Sequence, residues 1–157
     1  MKKVKKVWGS ELWIANNELY CCKILRLKKQ YICSYHKHDI KDETFYILSG
    51  MVLMKHNDRS FFMEPDSEPV RIKPGEYHSF LGIHHSEILE ISTQHFDNDS
   101  YRKDESRKLS DEEYGKYYKY GKYYNGEWLW RCKKCDAVID KVPCRACEYN
   151  SRYKSRR

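Results

Sequence analysis

Between residues 19 and 92 the apolar positions come in short runs, and each run stops at a turn signal. LYCCKILRL (19–27), TFYILSG (44–50), MVLMK (51–55), SFFME (60–64), PVRIK (69–73) and SEILEIS (86–92) carry β-branched and aromatic residues and are bounded by turn residues. Strands this short, with turns this frequent, predict a sandwich or small barrel. No βαβ alternation and no glycine-rich phosphate loop interrupts them. Within SEILEIS the two-residue period puts Ile88 and Glu90 on one face.

From Asp104 the texture changes. SRKLSDEEYGKYYKYGKYYNGE has little apolar periodicity, Ser110 followed by Glu113 reads as the cap of a short helix, and six tyrosines fall between residues 114 and 124. This stretch reads either as a linker packed on the barrel or as a basic aromatic strip suited to stacking on nucleotides. The expected division is a barrel over 1–106, a Tyr/Lys-rich linker or short helix over 107–127, and a cysteine module with a basic tail over 128–157.

Composition supports a folded core. Hydrophobic residues make up 40 % and aromatics 15 % of 157 residues, which suits one domain and a small appendage. No run approaches the roughly 20 apolar residues of a membrane span. The start, MKKVKKVWGSELW, is basic but lacks the apolar stretch of a signal peptide. The expectation is a cytoplasmic protein with no membrane partner. The net charge of +7 is uneven: 16 basic and 14 acidic residues precede Asp104, against 14 and nine afterwards. The basic end can serve nucleic acid or acidic partners, or solubility alone.

The densest chemistry lies in HKHDIKDETFYILSG (36–50). On an extended strand i and i+2 share a face, so His36 and His38 can point together into a barrel. After a polar crossing Glu43 can face the same space, and KPGEYHSF (73–80) brings His78 after a Pro-Gly turn. Three imidazoles and a carboxylate form a competent N/O site for manganese, iron, zinc or nickel. His84 and His85 read as loop residues.

The combination of HxHxxxxE with a later PGxxH resembles the cupin superfamily, which implies an all-β double-stranded β-helix, or jelly-roll, barrel. A narrower resemblance runs from Val7 to about Ser106. VWGSELWIANNELYCCK, SYHKHDIKDETFYILSG, RIKPGEYHSF and LEISTQHFDNDSYR look like type II mannose-6-phosphate isomerases and D-lyxose isomerase cupins, and also like small cupins appended to sialic-acid synthases. Trp8, Gly9, Glu11 and Lys23 match the opening. The resemblance implies an inward carboxylate at Glu90, a substrate-facing arginine at Arg102 and a homodimer.

An aldose–ketose interconversion needs a proton moved between neighbouring carbons, with a metal stabilising a cis-enediolate. Glu90 is the first choice as base, Lys23 or Lys41 can steady an oxyanion, and Arg102 can fork onto a hydroxyl, carboxylate or phosphate. The expected partner is a carbohydrate or sugar phosphate. An iron-dependent oxygenase, a non-catalytic sugar-binding barrel and a nucleic-acid or protein interaction module are the competing readings. Trp8, Trp13, Tyr31 and Tyr46 either shape the mouth of the pocket or fill the core.

Seven cysteines complete the inventory. Cys21, Cys22 and Cys33 read as buried thiols. Cys132, Cys135, Cys144 and Cys147 form two CxxC pairs with eight residues between them, the spacing of a closed four-thiolate structural zinc site resembling a zinc ribbon. Redox chemistry or a rubredoxin-like iron centre would use the same residues. Zinc with four thiolates would lower the C-terminal balance of +5 to about +3. Trp128 and Trp130 offer a docking surface beside the module.

Overall fold

The computed structural model describes residues 1–118, 121–124, 127–131 and 138–139. The chain divides into two compact units, Met1–Ser110 and Asp111–Arg157. In the first unit the strands are β1 (Lys2–Lys6), β2 (Gly9–Asn16), β3 (Cys21–Leu27), β4 (Tyr31–Ile32), β5 (His36–Lys37), β6 (Glu43–Ser49), β7 (Val52–His56), β8 (Arg59–Met63), β9 (Val70–Ile72), β10 (His78–Gly82), β11 (Ser86–Ser92), β12 (Tyr101–Arg102) and β13 (Arg107–Lys108). One sheet runs β1-β2-β3-β11-β6-β9. The second runs β12-β5-β10-β4-β13, with β7 on β10 and β8 on β7. All of these pairings are antiparallel.

The six apolar runs become β3, β6, β7, β8, β9 and β11. Among the longer strands, β1, β2 and β10 carry no such mark in the sequence. In β1, KKVKK is a lysine-rich sheet edge, where charge discourages pairing with other chains. All five residues of β10 are buried, so no polar face remains to create alternation. β13 pairs with β4, and the Leu109 amide donates to the Gln30 carbonyl, so the barrel runs past residue 106 to Ser110. Gly50 turns the chain from the first sheet to the second at φ +81°. A Cβ there would sit 2.3 Å from the His85 carbonyl oxygen, so only glycine fits.

The inner face of the first sheet has a gradient. Register sets Leu25, Ile88 and Ile47 side by side, then Lys23, Glu90 and Phe45, then Cys21, Ser92 and Glu43. The apolar end joins Trp8, Leu27, Val52, Met54, Met63 and Phe80 in the core. The other end places charged groups inside the barrel, which strand alternation alone would not distinguish from a solvent face.

The second unit contains α1 (Asp111–Tyr118), with three acids in its first turn, and an antiparallel sheet of β14 (Gly121–Tyr124), β15 (Glu127–Arg131) and β16 (Val138–Ile139). Cys132, Cys135, Cys144, Cys147 and the basic tail lie outside the described residues. Among the described residues no helix is long and apolar enough to cross a membrane.

Candidate metal centre

β5 and β10 pair directly at His36 and His78. The ring centroids of these two histidines are 4.4 Å apart, and His38 lies 5.1 Å from His36 and 6.0 Å from His78. One ligand nitrogen from each ring falls within 4.8 Å of the other two. A type II turn delivers His78. Pro74 and Gly75 take its central positions, Gly75 has φ +85°, and the Glu76 amide donates to Lys73. The Gly75 amide also donates to the His38 carbonyl at 2.6 Å, tying the two histidine segments together.

Each ring is oriented by the main chain. His36 Nδ1 meets the Ser34 carbonyl at 2.8 Å, His38 Nδ1 that of Asp99, and His78 Nδ1 that of Glu76 at 3.5 Å. A carbonyl only accepts, so Nδ1 of His36 and of His38 carries the proton and Nε2 is left with a lone pair, and the longer His78 contact points its ring the same way. Burial lowers the pKa of all three rings; His36 is pushed down to about 4.

Glu43 completes the group. It is 2 % exposed, its Oε1 accepts from Lys41 at 2.7 Å, and its Oε2 has no hydrogen-bond partner among the described residues. That oxygen lies 3.2 Å from His78 Nε2. Two lone-pair atoms so close, enclosed away from water, call for a cation or proton between them. The donor set therefore fits a divalent metal ion.

Lys41, at 3 % exposure, meets Glu90 Oε1 as well as Glu43. Glu90 sits in the middle of the sheet on β11, 4 % exposed, and its Oε1 lies 3.6 Å from Lys23 Nζ. Burial raises the Glu90 pKa, but Lys41 and Lys23 outweigh that and hold it down to about 2. Glu43, more dominated by burial, is pushed up to about 7. Burial works against the Lys41 charge, yet Glu90 and Glu43 raise it above its ordinary value. Lys41 thus bridges the two acids, with Lys23 beside Glu90.

Arg102 lies on the exposed edge strand β12, opposite His36, and lines the same cavity of about 420 Å³ as the histidines, Glu43, Glu90, Lys23 and Lys41. Of the expected aromatics, Trp8 is core and lines this cavity, while Tyr31 packs against the core. Trp13 lies beneath the Lys23 ammonium at 4.3 Å. Cys21 and Cys33 are buried, and Cys22 is partly so.

Two residues escape sequence reasoning. Asp99 accepts from the amides of Asp39, Ile40 and Lys41, clamping the loop that places Lys41. His95 meets Lys23 Nζ through Nδ1 at 3.1 Å and Asp97 through Nε2 at 3.2 Å. An ammonium only donates, so Nδ1 accepts and the Nε2 proton goes to Asp97. The asparagine Asn16 holds the His95 backbone at both its N–H and its carbonyl. Their only signal is position, in the polar segment just beyond β11.

Burial and Lys23 push His95 down to about 4. In the unfolded chain His36 and His95 titrate near their ordinary value of about 6.5, so below it the unfolded state binds more protons. The contribution of these two rings is expected to be greatest above about pH 6.5 and to fall toward pH 4, by at most about 3 kcal/mol per ring, while Glu43, raised to about 7, works in the opposite direction between its ordinary value and about pH 7. Urea unfolding at stepped pH measures the slope, and His95→Gln should flatten part of it.

The two antiparallel sheets form a double-stranded β-helix, or jelly-roll, barrel with a polar inner end. Its likeness to solved structures is one of fold. KdgF from Halomonas sp. superposes with a TM-score of 0.53 at 11 % identity, over 57 % of this chain and 81 % of that one. The capsular polysaccharide assembling protein CapF from Staphylococcus aureus gives 0.57 at 19 %, over 64 % of this chain and 33 % of CapF. An oxalate decarboxylase variant from Bacillus subtilis gives 0.56 at 18 %, over 65 % and 30 %. The chain thus spans about a third of the latter two. No protein-family model and no curated protein matches the sequence.

Proposed function

We propose that the barrel is a metal-dependent isomerase of a sugar or sugar phosphate. The observation that carries this reading is the placement of the inward carboxylate Glu90, with Lys41 and Lys23 beside it, on the wall of the cavity that holds the three imidazoles. His36, His38, His78 and Glu43 would hold a divalent ion of manganese, iron, zinc or nickel, which supplies Lewis acidity toward a carbonyl and its neighbouring hydroxyl.

The chain's own groups do the rest. Glu90 takes a proton from the carbon beside the carbonyl and returns it to the former carbonyl carbon, while the hydroxyl proton passes from its own oxygen to the former carbonyl oxygen. As Glu90 becomes neutral its hold on Lys41 weakens, and the ammonium is freed to face the negative charge gathering on substrate oxygen. Lys23 is kept in place by His95 and the Trp13 ring. Arg102 at the mouth can receive a distal hydroxyl or phosphate.

Purified protein with manganese should convert one of D-lyxose, D-mannose or their phosphates to the matching ketose, and Glu90→Gln should lower turnover by about 100-fold or more. No conversion across that set by the wild type overturns the isomerase reading. Equal turnover by both proteins removes Glu90 as the base.

A further inference from the structure

A groove of about 700 Å³ lies on the outward side of the first sheet, across the sheet from the cavity that holds the histidines. Its lining carries four cations, Lys3, Lys5, Arg26 and Lys28, against one acid, Glu87. Register sets Lys5, Ser10, Arg26, Glu87 and Ser49 in one row across β1, β2, β3, β11 and β6. Lys3 shares the outward face of β1 with Lys5, and Lys28 follows just past the end of β3.

The lysines of β1 divide by face. Lys6 pairs with Glu11 at 3.1 Å, and Lys2 lies over the Trp13 ring at 4.6 Å. Lys3 and Lys5, on the other face, form no ion pair among the described residues. Glu87 meets Arg26 through Nε at 2.9 Å, which fixes the guanidinium in the row and leaves its terminal nitrogens to donate elsewhere. Cations gathered on one wall repel one another, and an anion between them relieves that repulsion. The array is also short. The neighbouring row, Leu12, Ile24, Leu89 and Tyr46, is uncharged, and Arg71 at a far corner is closed by Asp42. That extent suits a compact polyanion better than a long charged backbone. No Phe, Tyr or Trp lines the groove to stack a base.

We propose that this groove binds a small ligand carrying two or three linked phosphates, the chemistry shared by inorganic polyphosphate and the tail of a nucleoside triphosphate. Strand geometry puts Lys5 about 7 Å from Lys3 and about 10 Å from Arg26 at the backbone, so their side chains can close on one such chain. Arg26 forks onto one phosphate, and the lysines meet the others as point charges. This assignment does not rest on the isomerase reading.

Calorimetric titration of the full chain with tripolyphosphate, a nucleoside triphosphate and orthophosphate, at matched ionic strength, tests it. Tripolyphosphate should bind, with orthophosphate weaker by about 10-fold or more because it engages only part of the array. Whichever of the two longer probes binds more tightly identifies the source of the phosphates. Lys3→Glu combined with Lys5→Glu should weaken tripolyphosphate by about 10-fold or more. Ser49→Glu, at an exposed residue on the opposite wall, should act in the same direction and serves if the β1 variant loses its fold by circular dichroism. Lys55→Glu with Lys108→Glu, at exposed residues of the second sheet, changes the net charge equally and should leave affinity within about 2-fold. Absence of tripolyphosphate binding, or equal affinity for orthophosphate, overturns the proposal. So does a loss in the groove variants no larger than in the second-sheet variant, which would trace the signal to the basic tail, to net charge or to chelation of a bound metal.

Discussion

His78→Gln is expected to leave the barrel unable to retain manganese. His78 is 1 % exposed, so no water-exposed residue can swing in to replace it, and its Nε2 is the nitrogen set 3.2 Å from the unpartnered Glu43 oxygen. Manganese is the probe of choice because it favours nitrogen and oxygen donors, whereas a cysteine quartet favours softer ions. Elemental analysis after dialysis should find about one manganese per wild-type chain and less than about a tenth in the variant, since losing one of four donors costs a site most of its affinity. Saturating manganese should stabilise the wild type by about 2.7–4 kcal/mol at 100–1,000 times its dissociation constant and leave the variant unmoved. Equal stabilisation of both would show that the three imidazoles do not act together.

Lys41→Met is expected to be the most damaging substitution to the metal-free barrel, at about 3–5 kcal/mol, because it strands Glu43 and Glu90 as buried acids without their shared cation. Methionine keeps much of the lysine volume, so the loss reports charge more than packing. Adding Glu90→Gln to Lys41→Met should recover part of it, with a coupling of about 0.5–3 kcal/mol in denaturant titration. Strict additivity would mean that Lys41 and Glu90 do not share their charge.

The barrel was legible because its strands alternate or end on turn residues, and because His36, His38, Glu43 and His78 follow a spacing that strand geometry converts into one cluster. The two-residue period of SEILEIS puts Glu90 on one face with Ile88, and the family resemblance, not the period, marks that face as inward, where the structure buries both. Other features left little trace. β10 is buried on both faces and β1 is nearly all lysine, so neither shows a hydrophobic period. Lys41 is a candidate for steadying an oxyanion on sequence alone, but the hold that buries it comes from Asp99, far along the chain, and leaves no local trace. The role of His95 depends on contacts with Lys23 and Asn16, both more than seventy residues away, and no local pattern encodes such a meeting.

The carbonyls behind the three imidazoles have a consequence for how such a barrel can drift. Those acceptors belong to the peptide units of Ser34, Glu76 and Asp99, and every amino acid brings the same oxygen. Aim is thus set directly by the path of the backbone, and side chains act on it only by holding that path. Ser34 can change without misdirecting a ring, whereas the Glu76 carboxylate accepts the Lys73 amide across the turn and the Asp99 carboxylate clamps its loop, so those two side chains hold the backbone's course. Such a centre can outlast wide divergence in the surrounding letters.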